Sequence, residues 1–178
     1  YPDLVANIRI DQGWGSAQVM GALHQVWPGY NSFGTTPDSE VGFGVGGGVK
    51  FNLPFGAGVT ANLSGAYAHG AVAYASSSVT DAGQFADAVV DASGDLELST
   101  AWSVSGGLGF NFTPSVGAAI QAGYLDYQND AASAFDFKNY DLQGNITWTP
   151  VSGLLMGVEV DYRYVDNKPA SGLDDDSY

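Results

Sequence analysis

The sequence predicts an all-β chain that folds as one antiparallel meander. Apolar residues alternate with small or polar residues over stretches of about ten positions. In residues 156–160, for example, Met156, Val158 and Val160 share one parity, whereas Gly157 and Glu159 share the other. A period of two indicates a β-strand with one apolar and one wet face. Composition agrees, because glycine occurs 25 times and no apolar run is long enough for a membrane-spanning helix.

Eight segments follow this alternation, and each is expected to form one strand. They are residues 3–11, 14–24, 41–52, 59–69, 98–112, 116–127, 137–148 and 154–165. In chain order, their apolar parities include Leu4, Ala17, Val41, Val59, Trp102, Ala118, Tyr140 and Leu154. Their opposite parities include Asn7, Gln18, Gly42, Asn62, Ser103, Gln121, Asn145 and Glu159. Turn-forming Gly or Pro residues follow the first, third, fifth and seventh segments, which defines where those strands end.

The connections between these segments alternate in length. Residues 12–13, 53–56, 113–115 and 149–153 are tight turns, whereas 25–40, 70–97, 128–136 and the tail from 166 are long. Outer-membrane β-barrels alternate in this way, with short periplasmic turns and longer extracellular loops. A β-sandwich gives no reason for the alternation. The pattern therefore favours a transmembrane β-barrel meander.

Aromatic side chains mark both ends of the strands on the apolar parity. The candidate aromatic girdle residues are Phe51, Tyr67, Trp102, Phe110, Phe112, Tyr124, Tyr140, Trp148, Tyr162 and Tyr164. Two rows of amphipathic rings are typical of the two membrane–water interfaces. Aromatic residues also favour strand ends in soluble β-proteins, but here parity and end position agree.

The polar parity is where a pore function would reside. The candidate pore-lining residues are Arg9, Asp11, Lys50, Asn62, Asn111, Gln121, Asp141, Asn145, Glu159, Asp161 and Arg163. An eight-stranded barrel would have an interior filled by side chains. The glycines at positions 42, 44, 46 and 48 could not fill it, which favours a wide, water-filled lumen with nothing packed against the wall. The alternative for each charge is that it only faces solvent.

The net charge of −14 argues against nucleic acid as a partner, because a phosphate backbone must be met by Lys and Arg. Most acidic residues fall in the long connections. They are Asp38, Glu40, Asp81, Asp87, Asp91, Asp95, Glu97, Asp130, Asp136, Asp166 and Asp174–Asp176, accompanied by Lys138 and Lys168. Acidic residues at the mouth of a pore raise the local cation concentration, so the pore is predicted to prefer cations weakly.

No motif indicates catalysis, and we expect neither an enzyme nor a cofactor. Gly42, Gly44 and Gly47 match a dinucleotide-type glycine pattern, but no helix follows them. The two histidines, His24 and His69, lack a nearby cluster of metal ligands in the sequence. A metal site is therefore not predicted.

Three stretches of the chain resemble one known family. YPDLVANIRIDQGWGSAQVMGALH (residues 1–24) resembles the mid-chain part of the alphaproteobacterial general porins, the type found in rhizobia. VKFNLP (49–54) and NFTP (111–114) resemble the same family. The resemblance implies a 16-stranded barrel in the bacterial outer membrane, assembled as a homotrimer among lipid and lipopolysaccharide. Such a porin passes small hydrophilic solutes by passive diffusion.

The chain departs from that family pattern in two ways. The N-terminal half that should carry the constricting loop is absent, and so is the closing strand with its C-terminal aromatic residue. Constriction residues therefore cannot be carried over. The first strand precedes a tight turn and the eighth follows one, so both outer ends point to the long-loop side. We therefore expect residues 1–178 to be one segment of an incomplete barrel.

Three functional hypotheses stand at this point. A passive diffusion channel is the leading one. A structural or adhesive outer-membrane barrel without an open pore is the alternative, and single-channel conductance separates the two. A soluble secreted β-sandwich or lectin is the third, and it predicts solubility without detergent.

Overall fold

The computed structural model describes residues 2–28, 37–55, 58–76 and 85–167. Its eight long strands are β1 (Leu4–Gln12), β2 (Gly15–Val26), β3 (Glu40–Leu53), β4 (Val59–His69), β7 (Thr100–Thr113), β8 (Val116–Gln128), β9 (Phe137–Val151) and β10 (Leu154–Asn167). Two short strands, β5 (Ala88–Val90) and β6 (Leu96–Leu98), pair with each other inside the connection that follows β4. The predicted all-β meander is confirmed, and each predicted segment is a strand whose ends lie within a few residues of the expected ones.

Each long strand pairs antiparallel with the next long strand along the chain. The order in the sheet is β1-β2-β3-β4-β7-β8-β9-β10, so β1 and β10 form its two edges within the described residues. Strand pairs joined by tight turns meet at one end of the sheet, and the long connections lie at the other. The long-connection end also holds two 3₁₀ turns, Val72–Ala75 and Asp130–Phe135.

Most of the acidic residues assigned to the long connections lie there, including Glu97 in the short strand β6, but two belong to the long strands. Glu40 is the first residue of β3, and Asp166 lies within β10, because both strands extend beyond the predicted ends. Asp81, Lys168 and Asp174–Asp176 lie outside the described residues.

The two faces of the sheet differ as the alternation predicts. Opposed residues in an antiparallel pair share a face, and the register places the large apolar side chains together. Val45 is 49% exposed and Val158 is 73% exposed on this face. Val104, Ile120 and Leu142 share it and are also exposed. Soluble monomers rarely expose an apolar surface this extensive.

The buried hydrophobic core lies on the polar face of the sheet, at the end where the long connections are. Its strand members are Ala68, Ala101, Leu125, Tyr127 and Phe137, and the connection after β4 contributes Val72 and Ala75. This differs from the expectation that nothing packs against the polar face. The cause is the apolar run at residues 71–75, which lies on the wall instead of extending away from the sheet.

Glycines make room for this close approach. Gly70 has a φ of +66°, a left-handed conformation that glycine adopts without strain, and it directs the chain inward after β4. A Cβ at Gly42 would overlap the backbone of Gly70. A Cβ at Gly44 would lie 2.7 Å from the Cβ of Tyr74. The glycines of β3 therefore accommodate a second layer of chain.

We expect Gly42→Ala to lower the free energy of unfolding by about 1–3 kcal/mol, because the added methyl group meets the backbone of Gly70 and not a movable side chain. Gly13→Ala is the matched control, since a Cβ there has no neighbour within 4 Å. Unfolding in urea from detergent micelles measures both. Equal stability of the two variants would contradict the close packing of residue 70 on β3.

Candidate functional site on the polar face of the sheet

Polar residues form continuous rows across the polar face. One row runs over the eight long strands through Asp11, Ser16, Lys50, Asn62, Gly107, Gln121, Gln143 and Asp161. The next row runs through Arg9, Gln18, Gly48, Ser64, Ser105, Gly123, Asp141 and Arg163. Asn111, Asn145 and Glu159 share the same face nearer the tight turns. The register thus brings all eleven candidate pore-lining residues onto one surface.

Two pairs of opposite charges form on this surface. The Arg9 guanidinium contacts the Asp11 carboxylate, with Nη2 2.7 Å from Oδ1. Arg163 Nε donates to Asp141 Oδ2 at 2.8 Å, and the Asp141 carboxylate is buried. Lys50 has no ion-pair or hydrogen-bond partner among the residues that the structure describes. Its ammonium is therefore available to an ion or solute.

A cleft of about 610 Å³ opens over β1–β4 on this face. Its charged lining residues are Arg9 and Lys50, and Asn62, Ser64 and Gln121 supply uncharged polar groups. The floor includes Gly46 and Gly48, whose missing side chains create the space. Tyr74 and Ser76, from the connection after β4, form one side. The cleft is large enough for a small hydrophilic solute.

A polar network ties this connection to the first two strands. The Tyr74 hydroxyl donates to Asp3 Oδ2 at 2.7 Å. His24 Nδ1 lies 2.7 Å from Asp3 Oδ1, and His24 Nε2 lies 3.5 Å from Asp87 Oδ2. The other oxygen of Asp87 accepts from the Val72 backbone N–H at 2.6 Å. We call Asp3, His24, Tyr74 and Asp87 the His24 network.

The apolar core and the His24 network contribute differently to this docking. Full burial of a valine stabilises by about 1.5–3 kcal/mol, and Val72 is fully buried. Partly exposed polar and charged contacts contribute about 0.2–1 kcal/mol each, and the His24 and Asp3 side chains are 29% and 30% exposed. The core therefore anchors the connection, and the network adjusts its position.

Aromatic rings line both ends of the apolar face. At the long-connection end, Tyr124 contacts both Trp102 and Tyr140 with centroids 5.0 Å apart, and Tyr140 lies 6.0 Å from Tyr164. Phe43, which the predicted set omits, extends this row to Tyr67 at 6.1 Å. At the tight-turn end, Trp14 and Phe51 lie 5.6 Å apart. The register also places Phe110, Trp148 and Tyr162 on this face, and Phe112 lies beside it at the register shift of β7.

Sequence reasoning missed the His24 network. It treated His24 as isolated, whereas the structure places its ring between carboxylates from residues 3 and 87. The residues involved are far apart in the chain, so no local motif marks them. One signal was present: AVAYA at residues 71–75 is an apolar run at the start of this connection.

The described part of the chain contains neither a metal-ligand cluster nor a membrane-spanning helix. No group of three or more His, Cys, Asp or Glu side chains there could hold a metal ion. None of its helices is both long and apolar enough to cross a membrane.

Comparisons with known proteins agree with this architecture. The structure is similar to the outer membrane channel DcaP of Acinetobacter baumannii, with a TM-score of 0.70 and 21% sequence identity. The similarity covers 93% of this chain and 49% of that chain, so this chain spans about half the length of its structural relative. No curated protein matches it. A family model described as the porin subfamily matches residues 1–177, and the chain therefore belongs to that family.

Proposed function

We propose that this chain is part of the wall of a water-filled channel for the passive diffusion of small hydrophilic solutes and ions. As a porin with the fold of an outer-membrane channel, it is a protein of the bacterial outer membrane. The observation that carries the proposal is the division of one sheet into two faces. One face exposes large apolar side chains, and the other presents rows of polar groups and an open cleft.

The lumen wall in this proposal consists of the eleven polar residues that share one face. Lys50 is the member of this set that lines the cleft without an ion-pair partner among the described residues, and the cleft beside it is floored by glycine. The aromatic rows on the other face then lie at the two interfaces of the membrane, where amphipathic rings are favoured. The structural relative is described as an outer membrane channel, which supports the same assignment.

We further propose that the eight strands are part of a 16-stranded barrel. Strands β1 and β10 are both edges, and lipid cannot satisfy their unpaired backbone groups. Additional strands would cover both edges. Residues 1–24 support an alphaproteobacterial, rhizobial-type porin, and this type favours a homotrimer in contact with lipopolysaccharide.

A passive channel requires no catalytic group, so we propose no enzymatic activity. The adhesive barrel without an open pore remains the alternative, because the connection after β4 occupies part of the polar face. The open cleft beside that connection favours the channel.

In planar lipid bilayers, the full-length natural protein is expected to form long-lived, water-filled pores with a conductance that rises with salt concentration. The reason is the continuous polar face, which has room for solvent and solute. Insertion without conductance steps would instead support the adhesive barrel.

If Val158 lies near the bilayer midplane, Val158→Arg should lower the free energy of unfolding by about 2–4 kcal/mol, because it places a charge on the lipid-facing surface. Asp161→Arg on the same strand is the matched control, since it lies on the polar face in the row of Lys50. Unfolding from lipid vesicles measures the difference. An equal loss of stability in both variants would contradict the assignment of the faces.

Lys50→Glu should move the reversal potential toward cation selectivity, because it replaces a positive charge in the cleft by a negative one. Lys138→Glu makes the same charge change on the opposite face, where Lys138 stands across from Asp126 and Asp166. The shift should fade at high salt through screening. Identical reversal potentials for the two variants would place Lys50 outside the conduction path.

A further inference from the structure

The two ring nitrogens of His24 face carboxylates that belong to different parts of the chain. Asp3 precedes β1, whereas Asp87 lies in the connection that packs on the polar face. A neutral imidazole donates a hydrogen bond from one nitrogen only, whereas the protonated ring donates from both. Protonation of His24 therefore strengthens its attraction to both carboxylates at once.

We propose that His24 is the positioning residue that holds residues 71–76 against the inner wall, so that its protonation sets how often this segment leaves the wall and narrows the channel. The inference rests on the proposed channel function and adds the regulation of its bore. Asp87 transmits the effect, because its second oxygen is bonded to the backbone of Val72 in that segment.

Titratable groups from several elements surround His24. Asp3 and Asp87 contact its ring, and the Tyr74 hydroxyl in the 3₁₀ turn contacts Asp3. Glu40 shares the polar face of β3 with Gly42, the residue paired with His24. Hydrogen bonds from Tyr74 and from His24 hold the pKa of the Asp3 carboxyl below its usual value. Asp3 is thus ionised at neutral pH, and the surroundings of His24 are acidic.

The position of the segment gives the direction of the effect. When residues 71–76 lie on the wall, Tyr74 covers Gly44 and the cleft over β1–β4 stays open. A segment that leaves the wall enters the cross-section of the lumen. Low pH should therefore favour a steady open level, and high pH should favour brief closures.

Single-channel recording of the full-length natural protein tests this at about pH 5.5 and about pH 8, the range over which histidine commonly changes its charge. We expect the closure frequency to rise by about fivefold or more at the higher pH, a typical size for coupled equilibria. His24→Asn should close often at both pH values. Asp87→Asn should lose most of the pH dependence while keeping an acceptor for the Val72 N–H.

The other histidine provides the matched control. His69 bonds to Thr100 Oγ1 at 3.0 Å on the apolar-face parity, away from the His24 network. His69→Gln should keep the pH dependence of the unaltered protein. Closures that are independent of pH, or a pH dependence that survives in His24→Asn, would overturn the inference. Complete absence of channels would instead refute the proposed function.

A chemical readout tests the docking without a conductance measurement. Ala75 is fully buried, and the chain contains no cysteine, so Ala75→Cys reports each departure of the segment from the wall. At each pH, the labelling rate of the Ala75→Cys thiol is compared between the proteins with and without His24→Asn. Because both are measured at the same pH, the effect of pH on the reactivity of the thiol itself cancels. Faster labelling with His24→Asn at low pH and equal rates at high pH are expected. Equal rates at both pH values would overturn the inference.

Discussion

The antiparallel hydrogen-bond ladder is the constraint on which the rest of this structure depends. It pairs each long strand with its neighbours in a continuous register from β1 to β10. Because side chains alternate with a period of two, one register assigns every residue to a face. A slip of one residue would move Lys50 and Asp141 among the exposed apolar side chains and bring Val158 to the polar face.

The small residues of the polar face have two distinct roles. Over β2–β4, Gly46, Gly48 and Ser64 leave the open space of the cleft. Nearer the long connections, Gly42 and Gly44 leave room for a second layer of chain, which Val72 and Tyr74 supply. Small residues thus create a cavity at one level along the strands and make room for a packed core at another. The difference is whether a connection covers the glycines.

The charges of the chain are arranged by the same geometry. Although the net charge is −14, the charged residues that line the cleft are Arg9 and Lys50. Carboxylates gather near the long connections, where Asp3 and Asp87 lie on either side of His24. The basic side chains that line the cleft and the acidic side chains near the mouth are therefore separated along the strands. The contacts of His24 are partly exposed and weak singly, so they can adjust a segment that the apolar core already anchors.

The sequence by itself determined the strands, their two faces and the aromatic rows, because alternation is a local pattern that each strand displays in full. Residues 59–69, for instance, match β4 from end to end. The position of the connection after β4 could not be predicted in this way. Its docking depends on contacts such as Tyr74 with Asp3, which join residues 71 positions apart. The periodicity of the sequence does not reveal such a contact. The glycines at 42 and 44 are equally consistent with an empty lumen and with a connection that packs on the wall. Only the tertiary structure decided that this segment lies inside, because only there do its apolar residues meet the buried side chains of β4 and β7–β9.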